Sequence, residues 1–146
     1  MAGWVRWLLV LPAAWLSGVV ALLTGLGFHW IAEAFCPPAQ MISDLCVAPW
    51  FDVVERAIIC GGAGLAAILI TMSCTLIAPS HRRVVVAVTL VAGCAVAAWM
   101  AFQLDAHLEL GAVVVAGLAT AWWLQRHGWL GETRAEERGR QGRSPQ

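Results

Sequence analysis

The sequence predicts an all-α fold: an integral membrane four-helix bundle with both termini in the cytoplasm. Three observations carry that expectation. The chain of 146 residues is 60% hydrophobic and 12% charged, where soluble domains run nearer ~45–50% and ~25%. A soluble fold of this size has too little interior to hide so much apolar surface. The apolar residues gather in four runs, each close to the ~20 residues that cross a bilayer as a helix. The arginines fall at alternate ends of these runs, as the positive-inside rule requires of a polytopic protein.

The first run spans about 7–31 and contains Pro12 near its start, where a missing backbone donor costs little. It is far longer than the apolar core of a cleaved signal peptide, ~7–15 residues. The second spans about 53–78, follows the acidic residues Asp52 and Glu55, and ends at Pro79. The third spans about 84–104. Asp105, Ala106 and His107 alone separate it from the fourth, so these two helices form a tight hairpin. The fourth spans about 108–124; it is short, but Trp122, Trp123 and Trp129 suit an interfacial ending. Residues 1–130 make the bundle. Residues 131–146 are polar, rich in Gly, Arg and Glu, and read as a disordered cytoplasmic tail.

Orientation follows from arginine, because the chain has no lysine. Arg6 precedes the first span, Arg82 and Arg83 lie between the second and third, and Arg126, Arg134, Arg138, Arg140 and Arg143 follow the fourth. The other two connections carry Glu33, Asp44, Asp52, Glu55, Asp105 and Glu109 against Arg56 alone. Both termini are therefore expected inside, which an even number of spans also demands. The tryptophans agree: Trp4, Trp7, Trp122, Trp123 and Trp129 fall at the inner boundary, and Trp30, Trp50 and Trp99 near the outer one. The expected location is a bacterial inner membrane. No basic patch interleaves with aromatics outside the tail, which argues against a nucleic-acid partner.

Lipid tails are as apolar as leucine, so close backbone approach rather than burial drives helix association in a bilayer. Each span has small residues four apart that permit it. They are Ala13, Ser17, Ala21 and Gly25 on the first, and Ala63, Ala67, Thr71 and Thr75 on the second. The third has Thr89, Gly93, Ala97 and Ala101, and the fourth Ala112, Ala116 and Thr120. Packing of the four spans into one bundle accounts for them; a face offered to another protein is the alternative.

Cys36 and Cys46 lie in the first outer connection with nine residues between them. On the periplasmic side such a pair is expected to oxidise. Closing so short a loop removes unfolded-chain entropy worth ~2–3 kcal/mol. Free thiols or a metal pair are the alternatives, and the spacing is not that of a C-x-x-C redox motif. Cys60, Cys74 and Cys94 lie within spans and read as small apolar residues.

The outer rim offers one metal-ligand set. His29 and Glu33 are four apart and share a helix face. Asp105, His107 and Glu109 sit at the other outer connection. If the first span packs beside that hairpin, the five converge into a site fit for Zn²⁺ or Cu²⁺; otherwise they are solvated interface residues. The histidines fall two per face, His29 and His107 outer, His81 and His127 inner. All four stand at span ends, without the apolar cover that haem needs.

No Asp, Glu, Lys, Arg or His falls in the middle of a span, which argues against a self-sufficient ion carrier. No phosphate-binding loop, nucleophile elbow or H-E-x-x-H motif is present. No catalytic residue and no cofactor is therefore expected. The reading is a non-enzymatic accessory or assembly subunit of a larger membrane complex. Its expected partners are the lipid bilayer and other membrane subunits, or further copies of itself. Two alternatives stand beside it: a small transporter or metal-handling protein using the rim cluster, and a membrane thiol or haem redox protein.

Overall fold

The structure is a computed structural model that describes residues 3–43, 45–78, 81–104 and 107–130. Asp105 and the 131–146 tail lie outside the described residues, so the expectations placed on them are not addressed by it. Helices α1 (Gly3–Ala34), α2 (Phe51–Ile77), α3 (Arg82–Leu104) and α4 (His107–Arg126) match the four expected spans, with α2 ending one residue short of the expected 78. Each is long and apolar enough to cross a bilayer. Most of their surface faces outward: Leu11 is 78% exposed and Phe102 86%. Exposure of that kind suits lipid, where it costs nothing, and not water.

Pro12 is corrected by the structure. With α1 starting at Gly3, it sits in the helix interior rather than the first turn. The helix continues through it because an apolar medium offers no water to backbone groups, so breaking the helix would strand more donors than the one proline removes.

The connection between α1 and α2 is more ordered than its sequence suggests. A 3₁₀ turn over Pro38–Gln40 leads into a small hairpin, β1 (Met41–Ile42) and β2 (Leu45–Cys46), paired Met41 to Cys46 and Ile42 to Leu45. Ser43 has φ +49°, the left-handed sign that a two-residue hairpin needs at its first central position. Cys36 and Cys46 are joined in a disulfide with their Cα atoms 6.0 Å apart. Ala32, Cys46, Ala48 and Phe51 pack beneath it, with Val54 and Ile58 alongside. The loop is thereby fixed onto the ends of α1 and α2.

At the opposite end, α2 stops before Pro79. Ala78 takes ψ 121°, the extended conformation that a following proline imposes. His81 has φ +53°, and its carbonyl accepts from the Val85 amide at 3.1 Å as α3 begins. Helix α4 closes at Gly128, φ +74°, with the Trp129 amide donating to the Leu124 carbonyl at 3.1 Å. That is a left-handed C-terminal cap, where glycine avoids the Cβ clash.

Helix α2 is the hub of the bundle. Its long packing partners are α1 and α4, while α3 packs mainly on α4 and more lightly on α2. Contacts are close where small residues allow. A Cβ at Gly64 would rest 3.6 Å from the Ala116 Cβ. Val10 and Ala14 of α1 pack on Cys74, Ala78 and Val85. Val86, Leu124 and Leu130 form a second cluster with Leu90 and Ala121. The buried hydroxyls of Thr75 and Thr120 donate to the carbonyls four residues back, at 2.6 and 2.8 Å, so they enter the bundle already satisfied.

Candidate functional site at the disulfide end

His29 and Glu33 meet as their spacing predicts, His29 Nε2 lying 3.3 Å from Glu33 Oε1. The imidazole also rests edge-on against Phe51, centroids 5.7 Å apart. Phe51 opens α2, so this contact ties the end of α1 to the start of α2. His107 and Glu109 belong to the first turn of α4. Helices α1 and α4 each pack on α2 rather than substantially on one another. Asp105, the remaining member of the expected rim set, lies outside the described residues. Among the described residues no three His, Cys, Asp or Glu side chains are grouped to hold a metal ion. Two protein ligands, His29 and Glu33, fall short of the three that a catalytic zinc site uses. His81, His107 and His127 are all exposed, so the histidines offer no apolar cleft for haem. Cys60, Cys74 and Cys94 are free thiols, and Cys74 packs among apolar side chains of the core.

A different feature occupies this end. Between α1 and α2 lies a groove of about 500 Å³, lined by Gly18, Leu22, Gly25 and His29 from α1 and by Glu55, Ile59, Gly62 and Ala66 from α2. That volume is within the range of small-molecule sites, ~300–1,000 Å³. Both sets of residues run at spacings of four, three and four, the register of a seam along two helices packed side by side. The glycines make the space: a Cβ at Gly18, Gly25 or Gly62 would meet nothing within 4 Å. A second hollow of about 410 Å³ lies alongside, with Thr24, Phe28, Val54, Gly61 and Leu65. Gly25, Ile58 and Gly62 line both.

The groove is closed below. Next to Gly18, the last groove residue on α1, the Ser17 hydroxyl donates to that of Ser73 at 2.9 Å and draws the two helices together. At the disulfide end His29 and Glu55 line it, the only ionisable residues to do so among those described. Glu55 is half-buried and forms no ion pair among the described residues. Arg56 turns to another surface of α2, beside Asp52 and Cys60. In the sequence Glu55 reads as part of an acidic lead-in to the second span. The signal that could have found it is its place in the series Glu55, Ile59, Gly62 and Ala66.

Comparison with protein-family models, curated proteins and solved structures found no match, so the functional reading rests on this geometry alone.

Proposed function

We propose that this chain is a non-enzymatic accessory or assembly subunit of a larger complex in a bacterial inner membrane, with both termini cytoplasmic. The observation that carries the reading is the way α3 is used. It packs on α4 through Leu90, which meets Gly117, and through Val86, which joins Leu124 and Leu130. Gly93 is left exposed, and a Cβ there would meet nothing within 4 Å. Ala92 and Ala95 beside it are exposed as well. Small residues facing outward from a membrane helix let a second backbone approach closely. The absence of ionisable side chains from the middle of the four spans supports a structural rather than a transporting role.

Extraction in a mild detergent followed by affinity purification tests this. A defined partner should co-purify with the wild type and be lost from Gly93→Leu, while the variant keeps its thermal stability. Recovery of a clean monomer or homodimer, under conditions that keep known membrane complexes intact, overturns the reading.

A further inference from the structure

The geometry points to a lipid site in the groove between α1 and α2: one acyl chain lies in it, and an ammonium-bearing headgroup sits at the mouth against Glu55. This inference is independent of the open α3 face. Three observations carry it. The first is depth. Gly18 and His29, which mark the ends of the groove on α1, are eleven positions apart, or about 16 Å along a helix. That is half of the ~30 Å hydrocarbon thickness of a bilayer, the depth of one leaflet.

The second is closure. Below Gly18 the two helices come together, with Ala14 against the Cys74 cluster and Ser17 bonded to Ser73. A transmembrane helix of a partner would need a continuous surface through both leaflets. A lipid chain ends where this groove ends. The third is charge. Below the mouth, Leu22, Gly25, Ile59 and Gly62 offer only apolar surface. At the mouth, Glu33 already has His29 at 3.3 Å, while Glu55 has no cation within the described residues. Among the described residues no arginine lines the groove. A primary ammonium supplies the missing positive charge and up to three donors, whereas an anionic headgroup would face an unpaired carboxylate.

Native mass spectrometry of the full chain, extracted from vesicles of equimolar phosphatidylethanolamine, phosphatidylcholine and phosphatidylglycerol, tests the site. The wild type should retain one phosphatidylethanolamine preferentially. Glu55→Gln should lower that preference by about tenfold, the order expected for one hydrogen bond to a charged group, while still retaining a chain. Gly25→Leu combined with Gly62→Leu should abolish retention by filling the groove. An unchanged melting temperature and an intact Cys36–Cys46 bridge would show that the filled variant folds. The proposal is overturned if the filled variant retains lipid as the wild type does. It is equally overturned if phosphatidylglycerol is preferred, if Glu55→Gln leaves the preference unchanged, or if a photo-crosslinker at Ile59 captures a second protein chain in place of lipid.

Discussion

Gly117 of α4 receives the Leu90 side chain of α3 so closely that a Cβ on Gly117 would stand 2.7 Å from Leu90 Cδ2. Leu90 is held in turn by the Val86, Leu124 and Leu130 cluster. A methyl at 117 would push a flexible side chain tip, and alanine also gains about 1 kcal/mol of helix propensity over glycine. Gly117→Ala is therefore expected to be close to neutral. Gly117→Leu has no such escape and should cost about 1–3 kcal/mol, the usual range for an overpacked core. Leu90→Ala in the same chain should recover part of that loss, whereas Gly93→Leu should leave the monomer unaffected. Reversible unfolding in mixed micelles, read as a double-mutant cycle, measures each of these.

The disulfide gives the second prediction. Cys36→Ser together with Cys46→Ser should lower stability by ~2–3 kcal/mol, as expected for a short closed loop. The loss should concentrate at the α1–α2 end, because Cys46 shares a cluster with Ala32, Ala48 and Phe51. Mass measurement after alkylation under denaturing conditions checks the bridge itself. Without reductant only Cys60, Cys74 and Cys94 should be modified; with reductant all five cysteines should be.

Helix number and extent were legible in the sequence because each depends on a local sum of hydropathy, and the disulfide was legible from two cysteines spaced within one short connection. Partner choice between helices was not. The small-residue stripes mark faces that can pack, yet Gly64 meets Ala116 while Gly93 meets nothing. Only the three-dimensional arrangement of the helices around α2 decides which faces are used. Whether the rim residues meet is not legible in the sequence for the same reason: His29 and Glu109 share an end of the bundle, but their helices stand mainly on α2 rather than on each other. The β1–β2 hairpin escaped notice because strands of two residues carry no readable alternation. Glu55 was visible as a charge and became a candidate site residue only when α1 was placed opposite it.

Ser17 and Ser73 supply a third prediction. Their hydroxyls lie 2.9 Å apart, and Ser17 Oγ is also 2.8 Å from the Ala13 carbonyl. Ser73 in turn donates to the Ile70 carbonyl at 3.1 Å. Because each hydroxyl has a backbone acceptor within its own helix, the link between helices is worth only about 0.6 kcal/mol. Ser17→Ala should therefore be mild. Ser17→Leu should separate α1 from α2 at the point where the groove closes, and it should raise the reactivity of Cys74 toward a membrane-permeant maleimide by more than it raises that of Cys94.

Arg83 holds the other end of the bundle. Its Nε donates to the Leu130 carbonyl at 3.1 Å, and the neighbouring Arg82 Nη1 reaches the Trp129 carbonyl at 3.4 Å. Two cations at the start of α3 thus serve carbonyls just past the end of α4, where the helix dipole is negative. Arg83→Ala should loosen this end by about 1 kcal/mol, the typical net value of one hydrogen bond, or roughly fivefold in a local opening equilibrium. Hydrogen exchange at the Trp129 amide, which is bonded to Leu124, should quicken by that factor, while amides in the middle of α2 keep their rates.

The same arginines are expected to fix sidedness. Arg82, Arg83 and Arg126 lie at the end of the bundle opposite the disulfide, and placing an arginine at a helix centre costs ~2.5–3.5 kcal/mol on the insertion scale. A phosphatase reporter that folds only in the periplasm should be active when fused after Ile42 and inactive when fused after Leu130. Changing Arg82 and Arg83 to Glu leaves α3 without its nearest retained charges. It should produce a mixed population in which some Leu130 fusions gain activity. Activity at Leu130 in the wild type would place the disulfide in the cytoplasm, and both the orientation and the oxidising environment assigned to Cys36 and Cys46 would then be wrong.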